Sequence, residues 1–198
     1  MGVSIDDIKK LKELTGVGLT DAKMALVEAD GNFDKALEAM RKKGLTRAEK
    51  KGDREAREGI IDSYVHSGRI GVVVEVNCET DFVARLDVFK EVAHEVALQI
   101  AAMAPVYVSE ADVPADEMER VRAEISEAVA AEGKPADIAE KIVEGRVKKH
   151  FEDKVLMNQT YIKNEKQTVA DFVKENIAKI GENIVVRQFK RIELGVNE

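Results

Sequence analysis

The sequence predicts an α+β protein: an N-terminal three-helix bundle, then a core in which a three-stranded antiparallel sheet is packed with helices on one face. Three observations predict it. Apolar residues recur at helical spacing in three short runs before residue 44, joined by glycine-containing turns. A valine-rich run, Ile70-Gly71-Val72-Val73-Val74-Glu75-Val76, follows an extended run and a tight turn, which makes a hairpin. A third extended run, 183–194, must pair somewhere, and the hairpin is the sheet on offer. The 198 residues therefore divide into a bundle over 1–44, a charged linker over 45–58 and an α+β core over 59–198.

Ser4 is placed to cap the first helix, with Ile5, Ile8, Leu11 and Leu14 along one face. Thr15-Gly16-Val17-Gly18 ends it, and Leu19, Ala22, Ala25, Leu26 and Ala29 mark the apolar side of a second. Asp30-Gly31-Asn32 makes the next turn, after which Phe33, Ala36, Leu37 and Met40 mark a third helix, expected to stop at Gly44. Helices of about ten to twelve residues are unstable alone, so the three must pack together. Residues 45–58 are polar, of mixed charge and poor in apolar anchors, which reads as a linker, partly helical at best, that lets the bundle move.

Ser67-Gly68-Arg69 reads as the turn between strands 59–66 and 70–76. Beyond the second strand, Thr80 can cap a new helix and Asp81 sits in its first turn, where a carboxylate complements the positive helix end. Phe82 stands at this strand-to-helix junction. On residue types alone it fits either a core ring or an exposed contact, with Cys78 a small buried hydrophobe. Val88, Phe89, Val92, Val96 and Ile100 lay a stripe along a long helix that ends before Pro105. Two acidic helices, 116–131 and 136–151, follow as an antiparallel pair around Glu132-Gly133-Lys134-Pro135. Residues 155–163 read as irregular, Thr168 as the cap of a helix running to Ile180, and 183–194 as the closing strand.

Composition excludes several classes. The net charge of −7 argues against wrapping nucleic acid, and the basic cluster Arg41, Lys42, Lys43, Arg47, Lys50 and Lys51 carries no aromatic platform. A lone cysteine, Cys78, gives neither an internal disulfide nor a cysteine zinc cage and fits a reducing compartment. The longest apolar stretch, 92–108, is broken by His94, Glu95, Gln99 and Pro105, so no membrane span is expected. The N-terminus has no signal-peptide pattern, and Asp6 stands where a myristoylation signal has Ser or Thr, which points to a soluble cytoplasmic protein. Gly16-Val17-Gly18 lacks the preceding strand and third glycine of a dinucleotide fingerprint, and no P-loop is present. His66, His94 and His150 have no second histidine at metal spacing, and Cys78 beside Glu79 and Asp81 is expected to have a raised pKa. No catalytic residue, metal site or cofactor is expected; a protein partner is the default.

The string Glu75-Val76-Asn77-Cys78-Glu79-Thr80-Asp81-Phe82-Val83-Ala84-Arg85 closely resembles the core signature of the elongation factor Ts family. Leu11-Lys12-Glu13-Leu14-Thr15-Gly16-Val17-Gly18-Leu19-Thr20-Asp21-Ala22-Lys23-Met24-Ala25-Leu26 resembles the family's other signature, whose fold is similar to a ubiquitin-associated domain. It departs at Thr20, where the family often has Met or another apolar residue, and at Ala22, where it often has Cys. The tail from Val185 to Gly195 resembles the family's closing strand, so the likeness covers nearly the whole chain. The resemblance implies a guanine-nucleotide exchange factor, not an enzyme of covalent chemistry, that binds elongation factor Tu carrying GDP, displaces Mg²⁺ and promotes exchange for GTP. It implies that the bundle docks on the GTPase domain. Thr80, Asp81, Phe82 and Val83 match the segment that pushes in near the Mg²⁺ site, with Phe82 as wedge and Asp81 as polar anchor. Long members carry two core modules and a coiled-coil insertion; this chain has room for one module, and short members are expected to cover the exposed sheet by forming a homodimer. A helical adaptor without exchange activity and an RNA-binding accessory factor using the 41–51 segment are the other readings.

Overall fold

The computed structural model describes residues 3–132 and 136–196, with the backbone alone at 45–47, 49, 136 and 137. The turn expected at Gly133-Lys134-Pro135, the Met1-Gly2 start and the side chain of Arg47 lie outside the described residues. The elements are α1 (Ile5–Thr15), α2 (Leu19–Glu28), α3 (Phe33–Glu49), β1 (Glu58–His66), β2 (Ile70–Cys78), α4 (Asp81–Ala84), α5 (Asp87–Met103), α6 (Ala115–Ala131), α7 (Ala136–Glu152), β3 (Thr160–Tyr161), β4 (Asn164–Thr168), α8 (Val169–Ile180) and β5 (Val185–Glu193). The fold is α+β. Its main sheet is three-stranded and antiparallel in the order β1-β2-β5, so the strand nearest the C-terminus pairs with the hairpin as expected. By compactness the chain falls into two units.

The first unit holds the chain up to Asp62 together with Val74–Glu95 and Asp171–Arg187. In it α1, α2 and α3 close around Leu11, Ala22, Ala25, Leu26, Ala36 and Met40. The Ser4 hydroxyl accepts the Asp6 N–H at 3.2 Å, and Gly16, at φ 67°, ends α1 by donating its N–H to the Lys12 carbonyl at 2.8 Å. The buried face of α1 differs from the spacing reading: Leu11 and Thr15 are buried while Ile5 and Leu14 are exposed. Thr15 can go inside because its hydroxyl donates to the Leu11 carbonyl at 2.5 Å.

The third helix does not stop at Gly44. It continues to Glu49, so residues 45–49 of the expected linker are helical. A glycine inside a helix costs about 1 kcal/mol relative to alanine, and packing outweighs it here. A Cβ on Gly44 would stand 3.2 Å from the Ala178 Cβ, and one on Gly16 would stand 2.7 Å from the Lys179 Cα. Both bare positions let the bundle approach α8 closely.

The second unit holds Ser63–Val73, Val96–Ala170 and Gln188–Glu198. Its α6 and α7 pair around Val113, Val121, Phe151 and Val155. Residues 155–163, read as irregular, contain a 3-10 turn at Leu156–Asn158 and the strand β3, which pairs antiparallel with β4. A two-residue strand is too short for alternation to register. Thr168 is the last residue of β4, with α8 starting at Val169. Gln99, a polar residue on the α5 stripe, is fully buried and satisfied: its Nε2 donates to Gln159 Oε1 and the Thr160 carbonyl, each at 3.1 Å, and its Oε1 accepts the Ile162 N–H at 2.9 Å.

Ser67 and Gly68 take consecutive left-handed conformations, φ 50° and 66°, the turn that matches the right-handed twist of a hairpin. On β2 alternate residues Val72, Val74, Val76 and Cys78 are buried. Apolar side chains also stay exposed on all three strands: Ile61 and Val65, Val73, and Ile192. Among the described residues no helix is long and apolar enough to cross a membrane.

Candidate functional site

The site lies where β2 gives way to α4, within the first unit. Valines carry the strand inward as far as Cys78, and the chain then turns through Glu79 and Thr80. Thr80 is extended, φ −129° and ψ 153°, and its hydroxyl accepts the Val83 N–H at 3.4 Å, a long capping bond. A four-residue helix with such a cap cannot hold itself. What holds it is the corner between α8 and β5. Glu182 Oε2 accepts the N–H of Glu79 at 3.1 Å and of Thr80 at 3.0 Å, while its Oε1 accepts the Thr80 hydroxyl at 2.7 Å. In return Glu79 Oε1 accepts the Asn183 N–H at 2.7 Å. Asn183 is 2% exposed, and its Nδ2 donates to the carbonyls of Gly52 at 3.1 Å and Arg54 at 2.7 Å. Arg54 also reaches Glu79 Oε2 at 3.4 Å.

The four residues expected to act together are contiguous but face differently. Phe82 is 76% exposed, so its ring is not part of its own core. Val83 and Ala84 are buried and pin the turn from beneath. Asp81 is half-buried and pairs through Oδ2 with Arg85 Nη2 at 2.8 Å. Thr80 is the cap and the point of contact with Glu182. Leu86 and Val88, further along the chain, are also exposed.

Nothing nucleophilic stands here. Cys78 is buried and donates its S–H to the Thr80 carbonyl at 3.2 Å. Its thiol is pushed up from 9.0 to about 11, first by burial and then by the charge of Glu182, whereas the sequence pointed to Glu79 and Asp81 as the cause. The histidines do not converge: His66 meets the Tyr64 hydroxyl, His94 pairs with Asp62 and His150 lies beside Lys154. Among the described residues no group of three or more His, Cys, Asp or Glu could hold a metal ion. The arrangement offers an exposed aromatic ring on a turn held by hydrogen bonds with Glu182 and Asn183.

Glu182 and Asn183 are not singled out by the sequence, and Glu79 reads there only as a charge beside Cys78. They meet across 102 to 104 residues, a separation that leaves no local spacing to read. The one available hint is an acid and an amide placed directly after Gly181, where α8 must turn into a strand and the backbone needs partners.

The family model described as Elongation factor TS matches residues 44–195. The chain belongs to the elongation factor Ts family. Elongation factor Ts of Thermotoga petrophila is 54% identical over 200 residues, covering 98% of each chain. That of Carboxydothermus hydrogenoformans is 51% identical over 189 residues, 95% of this chain and 87% of the relative, and that of Thermoanaerobacter pseudethanolicus 48% over 194 residues, 98% and 95%. Membership carries a role in translation elongation. The family match takes in both halves of the site, the turn after β2 and the α8–β5 corner, and the relatives' matches extend over the bundle as well.

Proposed function

We propose that this chain is the guanine-nucleotide exchange factor of elongation factor Tu, acting in the cytoplasm by binding the GDP form, dislodging Mg²⁺ and letting GTP replace GDP. The observation that carries the reading is the exposed ring of Phe82 on a turn whose backbone is held by the Glu182 carboxylate. A GTPase holds GDP through P-loop amides, a Mg²⁺ ion and a base pocket, and each tenfold weakening takes about 1.4 kcal/mol. Mg²⁺ tolerates little departure from octahedral geometry, so shifting the element that supports its ligands suffices to release it. Phe82 fills an apolar slot in the partner. Asp81 exchanges Arg85 for a donor on the partner, while Thr80 and Val83 hold the pair in place. Linkage makes the effect reciprocal: nucleotide loosens the factor by the same ratio that the factor loosens nucleotide.

In this reading the ubiquitin-associated-like bundle, 1–44, docks on the GTPase domain, and the core, 59–198, carries the wedge. The factor needs no cofactor or metal of its own, no nucleic acid, no membrane and no covalent step. Exposed Ile61, Val65, Val73 and Ile192 support a homodimer through the core, since a sheet with uncovered apolar side chains is a surface for a second copy. The deciding experiment is release of fluorescent GDP from elongation factor Tu with and without the chain. Acceleration is expected; unchanged release would leave a helical adaptor, and salt-dependent retention of RNA would move the reading to an RNA-binding accessory factor.

A further inference from the structure

We infer that Glu182 is a positioning residue for nucleotide exchange: its carboxylate fixes the backbone of Glu79 and Thr80 and so sets the direction in which Phe82 projects. The inference rests on the wedge reading. Three donors on two consecutive residues converge on one carboxylate, at 3.1, 3.0 and 2.7 Å. Such charge-assisted bonds are about twice as strong as neutral ones, and here they supply what a four-residue helix with a 3.4 Å capping bond lacks. The return bond from Asn183 N–H to Glu79 at 2.7 Å makes the contact a two-way clamp. The same corner grips the segment after α3, through Asn183 to Gly52 and Arg54 and through the Lys51 ammonium donating to the Gly181 carbonyl. A ring that must enter a slot in another protein gains rate from being held in its bound direction beforehand, because misplacement is then not corrected at the expense of binding energy.

The test measures GDP release from elongation factor Tu as a function of factor concentration for the full-length chain and for E182A, E182D, E182Q, F82A and the E182A/F82A double variant. E182A is expected to lower the maximal release rate roughly tenfold, as misplacement of a contacting group does, with half-saturation moved by about twofold or less. E182Q should restore most of the rate, since its carbonyl oxygen still accepts the two amides and the Thr80 hydroxyl can turn to accept from the new amide. E182D keeps the charge but shortens the arm and should resemble E182A in rate, and a melt of each variant with the E182Q rescue separates misplacement of the turn from a chain that folds poorly. In the F82A background E182A should add nothing further, and in E182A the amides of Glu79 and Thr80 should exchange hydrogen faster. Multiplying effects in the double variant, full activity of E182A and E182D, or a rate for E182Q as low as for E182A would each overturn the role of Glu182 while leaving the wedge standing. An F82A chain with unaltered activity would sink the wedge itself, and the positioning role with it.

Discussion

Replacing Phe82 by alanine separates a presented ring from a packed one, because the two make opposite demands on stability and activity. Phe82 is 76% exposed, so about a quarter of a Phe surface of roughly 200 Å² is covered, or about 50 Å². At roughly 25 cal/mol per Å² that amounts to about 1 kcal/mol, an upper bound given the compactness of unfolded chains. For a domain of this size the melting temperature should fall by no more than about 2–4 °C. A core phenylalanine would instead cost about 3–5 kcal/mol. On the partner the ring is expected to behave as an interface anchor, where truncation takes about 2 kcal/mol or more, a loss of about 30-fold or greater in exchange efficiency. The assay pairs a calorimetric melt with stopped-flow release of fluorescent GDP from elongation factor Tu. A large drop in melting temperature would show that the ring is structural after all, and an unchanged release rate would remove the wedge assignment.

Gly16→Ala should destabilise the first unit, since φ 67° alone costs a side chain roughly 1–3 kcal/mol and its Cβ would meet the Lys179 backbone at 2.7 Å. Gly31→Ala, at φ 79° with open space around it, supplies the control; equal shifts in urea midpoint for the two would refute close packing of the bundle on α8. Cys78 should give an alkaline slope. Its folded pKa is raised, so the stability it contributes is complete below 9.0 and lost as pH climbs toward about 11, and Cys78→Ala should flatten urea midpoints across that window. Light scattering at micromolar concentration should give twice the 21.9 kDa chain mass; a clean monomer would count against the homodimer.

The legibility of this chain follows the range of the forces that shape it. Ser4, Gly16, Ser67, Gly68 and Thr80 act on backbone within four residues of themselves, so caps and turns could be read directly from their neighbours. The buried alternation of Val72, Val74 and Val76 was equally plain, because burial of one face is written at a period of two. Where the reading slipped, a distant group had overruled a local preference. Gly44 is a helix breaker by propensity, yet the helix passes through it, and a Cβ there would press on Ala178, far along the chain, at 3.2 Å. By type Gln99 reads only as a break in the stretch 92–108; its burial, made possible by Gln159, Thr160 and Ile162, is likewise set by groups distant in sequence. The same holds at the site. Asp81-Phe82 could be found as a junction, but the exposure of the ring could not, because the backbone of the turn is bonded to Glu182 and Asn183 from more than a hundred residues away. The string Thr80 to Val83 is local, but the way its backbone is held is a tertiary property, which is why mutations at the α8–β5 corner are the sharper test of the proposed wedge.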